Sequence, residues 1–149
     1  MRITYEGEFM ETCEDESPYV IEYSEKFAEQ WTNFTLDIKV KIKDFMDTFW
    51  DHGLFGQFDK YKGKISHSWR NCATEKDQEY AETNNLWHAH IGFPDFEAGY
   101  KYSTSDWVLH FVWDKYNDPG KIILVDCYSH QTSDGKFYLP DKSYLVMPD

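Results

Sequence analysis

The 149-residue sequence predicts an α+β domain: an N-terminal strand, a helix or helical hairpin, and a small antiparallel sheet on which the helices pack. Two patterns carry this expectation. Phe27, Trp31, Phe34, Ile38, Ile42, Phe45 and Phe49 recur at intervals of three or four, the period of an amphipathic helix. Three later runs, Leu86–Phe93, Trp107–Asp114 and Lys121–His130, have the length and composition of strands. The turn Asn117-Asp118-Pro119-Gly120 joins the second run to the third and marks a hairpin.

In chain order, residues 2–9 alternate between Ile3, Tyr5, Gly7 and Phe9 on one side and Thr4, Glu6 and Glu8 on the other, which reads as a strand. Glu11–Pro18 is a breaker. Ser24 is placed to cap a helix, with Glu25 favourable in its first turn. His52-Gly53 is the matching stop, and Thr35 can cap a second helix that divides the stretch into a hairpin. Leu36, Ile38, Val40 and Ile42 also alternate with charged residues, as in a strand. Helix is favoured because the longer period continues through Phe45 and Phe49. Phe55–Arg70 is a turn-rich link with room for a short strand. Asn71–Asn85 reads as an exposed polar insertion, and Phe137–Met147 as a terminal edge strand. The whole, 1–149, is one domain with an acidic N-terminal segment, 1–25.

The net charge of −12 argues against nonspecific nucleic-acid binding, which depends on neutralising phosphates. The charge is uneven. Residues 1–25 carry a net of −7, whereas residues 39–70 carry seven basic side chains against four acidic ones. No apolar run approaches the roughly 20 residues needed to span a bilayer. The first residues lack the apolar stretch of a signal peptide, and three cysteines without metal-type spacing suit reduced thiols. A cytoplasmic protein with no membrane partner is expected.

The three strand-like runs hold four of the six histidines. In the first, Trp87, Ala89, Ile91 and Phe93 fall on one face, and His88 and His90 on the other. Such a sheet can pack a core on one side and do chemistry on the other.

The order of elements, and the motifs Phe55-Gly56, His88-Ala89-His90, Thr104-Ser105-Asp106 before Trp107–Trp113, and Ile122–Cys127 leading to His130, resemble the RelE/ParE superfamily of bacterial toxins, nearest its YafO-like branch. The likeness covers roughly Phe55–Tyr138. It implies a toxin of a toxin–antitoxin system that cleaves mRNA, often on the ribosome, without a cofactor, and is silenced by a cognate antitoxin protein. The ParE branch instead poisons DNA gyrase. Ribosome-directed members are usually basic, whereas this chain is acidic and carries a single lysine, Lys101, just before Thr104.

Metal-free RNA cleavage needs a base for the 2′-hydroxyl, an acid for the leaving 5′-oxygen and a cation for the phosphoryl oxygens. Histidine suits the first two because its ordinary pKa lies near ~6.5. His88 and His90, about 7 Å apart on an ideal strand, can flank a phosphate. His130 can serve as acid or base, Lys101 as the cation, and Asp106 can orient a histidine. Lys60, Lys62, Lys64 and Arg70 are candidate RNA contacts. His110 shares a face with Val108 and Val112 and reads as packing, while His52 and His67 read as helix end and loop. A metal site is the rival reading. It would pair His88 and His90 with a third ligand such as His110, His130 or Glu97. A non-enzymatic binder that acts through the acidic segment is another.

Overall fold

The computed structural model describes residues 2–3, 9–10, 17–54, 60–99, 102–132 and 135–148. Two short strands, β1 (Arg2–Ile3) and β2 (Phe9–Met10), pair antiparallel in a ribbon of their own. The main sheet holds β3 (Val20–Tyr23), β4 (Ile65–His67), β5 (Leu86–His90), β6 (Trp107–Val112) and β7 (Lys121–Ser129), in the spatial order β3-β7-β6-β5-β4. The helices are α1 (Glu25–Asn33), α2 (Leu36–His52) and α3 (Glu75–Thr83). The class is α+β, as expected.

The helical hairpin forms where its caps stand. Ser24 Oγ accepts from the Phe27 backbone N–H at 3.2 Å, and Thr35 opens α2 in an extended conformation. Gly53 closes α2 with φ of 70°, its N–H donating to the Phe49 carbonyl at 2.7 Å. The ambiguous octet is helical, and burial shows why. Ile38 and Ile42 are 6% and 0% exposed, whereas Leu36 and Val40 are 62% and 41% exposed. A half-buried strand would bury all four together.

Three expectations need correction. The strand that joins the sheet near the N-terminus is β3, directly after the breaker; of the expected strand over 2–9, residues 4–8 lie outside the described residues. β3 runs parallel to β7, so the sheet is mixed rather than antiparallel. With four residues, β3 is too short to show alternation, and its partner lies about 100 residues away, at Lys121–Leu124. The polar stretch 71–85 is largely exposed and carries α3. Thr74 Oγ1 caps it by accepting from the Asp77 N–H, Glu75 and Asp77 lie in its first turn, and Ala81 is fully buried. The segment 137–147 makes no edge strand. It forms one bridge, Gln131 to Phe137, and a 3-10 turn at Lys142–Leu145, capped by Asp141. Pro140 lacks the N–H that a strand ladder would need.

The sheet is therefore covered on both faces, not one. On the first face, Phe27, Trp31, Ile42, Phe45 and Phe49 of the hairpin pack against Ala89, Leu109, Phe111 and Leu124. On the second, Ala81 of α3 and the chain through Phe137, Leu139 and Leu145 cover Leu86 and Val125. A bulge between His110 and Phe111 fixes what the second face presents. Opposite it, Val125 is the extra residue, so His110 faces Asp126 while Phe111 faces Leu124. Along that face the strands change from Leu86, Val112 and Val125 to histidines.

Gly63 ties the start of β4 to β5. A Cβ there would lie 1.9 Å from the His90 carbonyl oxygen. The flanking backbone is fixed, with His90 N–H donating to the Lys64 carbonyl at 2.9 Å and Lys64 N–H to that of Ser103 at 2.8 Å. We expect Gly63→Ala to lower stability by about 1–3 kcal/mol, the range for overpacking a filled interior, and urea denaturation checks this. An unchanged midpoint would show that the approach is not required.

Candidate functional site

Side chains of β4, β5, β6 and β7 line up across the second face. Ser66 pairs with His88, His88 with His110, and His110 with Asp126. The row follows from strand alternation, because directly opposite residues share a face. His90 sits two residues from His88, and His130 just beyond the end of β7 swings over both. The ring centres of His88 and His90 are 5.8 Å apart, those of His88 and His130 5.5 Å, and those of His90 and His130 5.1 Å with the rings stacked. One nitrogen from each of the three lies within 4.8 Å of the others. Phe137 stands 5.0 Å from His130 and 5.1 Å from His88, closing one side of the cluster.

The cluster opens into a cavity of about 470 Å³, whose walls include Lys64, Ser66, Glu97, Ser105, Asp106 and the three imidazoles. Its wall is held by hydrogen bonds. His88 contacts Ser68 Oγ through Nδ1 at 3.0 Å and Ser66 Oγ through Nε2 at 3.3 Å. His90 Nδ1 lies 2.7 Å from the Ser105 carbonyl oxygen and 3.0 Å from the Ser105 amide nitrogen. One nitrogen cannot both donate and accept in a neutral ring. The shorter contact fits Nδ1–H donating to the carbonyl, which leaves the lone pair on Nε2. Ser105 Oγ accepts from the Gly92 N–H at 2.9 Å and donates to the Trp107 carbonyl at 2.8 Å, so the residue that orients His90 is itself anchored.

Burial dominates the electrostatics. His88 and His110 are 1% and 0% exposed. The desolvation cost of the charged form pushes His88 well below its ordinary range, and the neighbouring imidazoles and Lys64 add to this. It lowers His90 to about 4, against the opposing effect of the Ser105 carbonyl. His110 falls to about 3. His130, half-buried at the cavity mouth, is lowered by burial and by Lys64, with Asp106 opposing. Asp126 is raised by burial, although Tyr138 and Gln30 favour its ionised form. At pH 7 only roughly one His90 in a thousand carries a second proton. The buried imidazoles are neutral bases or ligands, and His130 is the one placed to exchange protons with solvent.

Of the residues singled out in the sequence, His88, His90, His130, Asp106 and Lys64 meet at this cavity. Asp106 takes part through its backbone as well, its carbonyl accepting from the His130 N–H at 2.6 Å, while its carboxylate accepts from Ser129 Oγ at 3.1 Å. Lys60, Lys62 and Arg70 are exposed and do not line the cavity; Lys62 Nζ lies 5.0 Å from the Phe96 ring centre. Lys101 lies outside the described residues. His110 is buried beneath the cluster, and neither of its ring nitrogens has a hydrogen-bond partner among the described residues. Sequence reading gave no role to Ser66 or Ser68, and placed Ser105 in the Thr104-Ser105-Asp106 motif without its anchoring role. The nearest signal was the Ser-x-Ser spacing in Ser66-His67-Ser68, whose meaning depends on β4 lying beside β5.

No family model, no curated protein and no solved structure matches this chain. No helix among the described residues is long and apolar enough to cross a membrane.

Proposed function

We propose that this chain is an endoribonuclease toxin of the RelE/ParE kind, the active half of a toxin–antitoxin pair, which cleaves mRNA by metal-independent acid–base chemistry. The observation that carries the reading is the convergence of three imidazoles and Lys64 on one polar cavity. It supplies a base, an acid and a cation within reach of a single phosphate. His90, oriented by the Ser105 carbonyl, takes the 2′-hydroxyl proton at Nε2. The 2′-oxygen then attacks phosphorus, and the bond to the 5′-oxygen breaks. His130 at the mouth protonates that leaving oxygen. A bound phosphate restores the proton affinity that burial and Lys64 take from His130. Lys64 takes the place assigned in sequence to Lys101 and stabilises charge on the phosphoryl oxygens. His88, clamped by two serines, positions His90 and His130 rather than reacting. The products are a 2′,3′-cyclic phosphate and a 5′-hydroxyl.

Expression in a bacterial host tests the reading. Growth should stop and mapped transcripts should show new internal 5′ ends. A small DNA-binding antitoxin encoded beside the gene should restore growth. Normal growth with intact transcripts on expression of the folded wild-type chain contradicts the proposal. Arrest with DNA damage and intact transcripts points to gyrase instead.

A further inference from the structure

We propose that His88, His90 and His130 form a binding site for a divalent transition-metal ion of zinc's class, with the open side of the cavity as the fourth coordination position. The three donors are gathered already, one nitrogen from each within 4.8 Å of the others. Tetrahedral zinc with Zn–N bonds of about 2.0–2.1 Å needs donors about 3.3 Å apart. Modest side-chain rotation closes that gap, and His130, half-buried at the cavity mouth, has open space on its solvent side.

The surroundings match those of metal-binding histidines. Such a ligand usually donates its second ring nitrogen to a carbonyl or carboxylate, which fixes the tautomer. His90 Nδ1 has the Ser105 carbonyl oxygen at 2.7 Å, and His88 Nδ1 has Ser68 Oγ at 3.0 Å. Each then offers Nε2. The competing contact at His88 Nε2 is the Ser66 hydroxyl at 3.3 Å, a long bond that a metal displaces by rotating one small side chain. Lining charges favour a cation, since Glu97 and Asp106 stand against Lys64. Three neutral nitrogens with an open position select zinc, cobalt, nickel or copper over magnesium or calcium. Lys64 beside the open position suits an anionic fourth ligand, such as hydroxide or phosphate.

The site goes beyond the nuclease reading and does not depend on it. Only one consequence rests on that reading: a metal occupies the lone pairs that proton transfer uses, so metal loading silences RNA cleavage. Binding is therefore measured without RNA. Untagged protein, stripped with chelator and dialysed, is titrated with Zn2+ against a chromophoric competitor and with Co2+ by visible absorption. Expected are about one ion per chain, the absorption of tetrahedral Co2+, and affinity at least ~100-fold weaker in both His90→Gln and His130→Gln, with far-UV circular dichroism confirming their folds. Substoichiometric binding by the folded wild type, or equal binding by wild type and both variants, overturns the site. Cleavage assayed in chelator and then with added Zn2+ separates the two claims. A chain that binds metal but never cuts RNA keeps the metal site and loses the nuclease. A chain that cuts RNA without binding metal does the reverse.

Discussion

Acidification from pH 6.5 toward pH 4 is expected to strip most of the stability from this domain. His88, His90 and His110 are buried as neutral imidazoles, with His90 lowered to about 4 and His110 to about 3. In the unfolded chain each titrates near ~6.5. Between those values the unfolded state binds more protons than the folded one, so stability falls as pH falls. The contribution is complete above about 6.5 and is lost as pH drops through the folded values. Over this window His90 and His110 each lose about 3 kcal/mol. A domain has only about 5–15 kcal/mol in total. Asp126 and Asp44 work in the opposite direction, because their raised folded pKa values favour protonation in the native state as pH falls, but they are two carboxyls against three imidazoles. Urea midpoints at several pH values check the sign and the window. His110→Leu tests the assignment. It keeps a similar volume against Phe137 and Tyr138 and removes two buried nitrogens that have no partner among the described residues. The variant should lose less stability than the wild type between pH 6.5 and 4. Equal acid sensitivity would place the effect elsewhere.

His130→Gln is expected to cut RNA cleavage by about 10²–10⁴, the range that a positioned acid or base contributes. His90→Gln should do the same, and the double variant should fall little further, because both groups serve one transition state. Lys64→Met should act on the same step. Ser66→Ala has a smaller effect: it removes the weaker of the two contacts to His88 and leaves Ser68 in place. Single-turnover rates on a short RNA check all five variants. Fully additive losses from His90→Gln and His130→Gln would mean that the two act in separate steps.

Local signals carried much of this architecture. Ser24 and Gly53 mark the ends of the helical hairpin because capping chemistry involves neighbours in sequence, and Thr35 stands at the start of α2 without a side-chain cap bond. Alternation in Leu86–His90 put both histidines on the face opposite Trp87 and Ala89, and the strand pairing keeps them there. What stayed hidden depends on distant pairing. β3 is recognisable as a sheet strand only beside β7. Ser66 and Ser68 matter because a three-residue strand in a turn-rich link lies against β5. Lys64 reaches the cavity because Gly63 lets that link approach the His90 carbonyl. Polar residues in 71–85 suggested an exposed insertion, and the segment is mostly exposed; the fully buried Ala81 and the half-buried Tyr80 seat α3 beside Leu86 and Val125.

Cleavage of RNA at this cavity is proposed to proceed by proton transfer through His90 and His130. It is tested most directly by incubating the purified chain with an RNA oligonucleotide in chelator at neutral pH, with and without ribosomes, and identifying the product ends. The wild type should give 2′,3′-cyclic phosphate and 5′-hydroxyl ends, and His130→Gln should lose them. Intact RNA under both conditions, or the same cleavage from wild type, His90→Gln and His130→Gln, would contradict this mechanism.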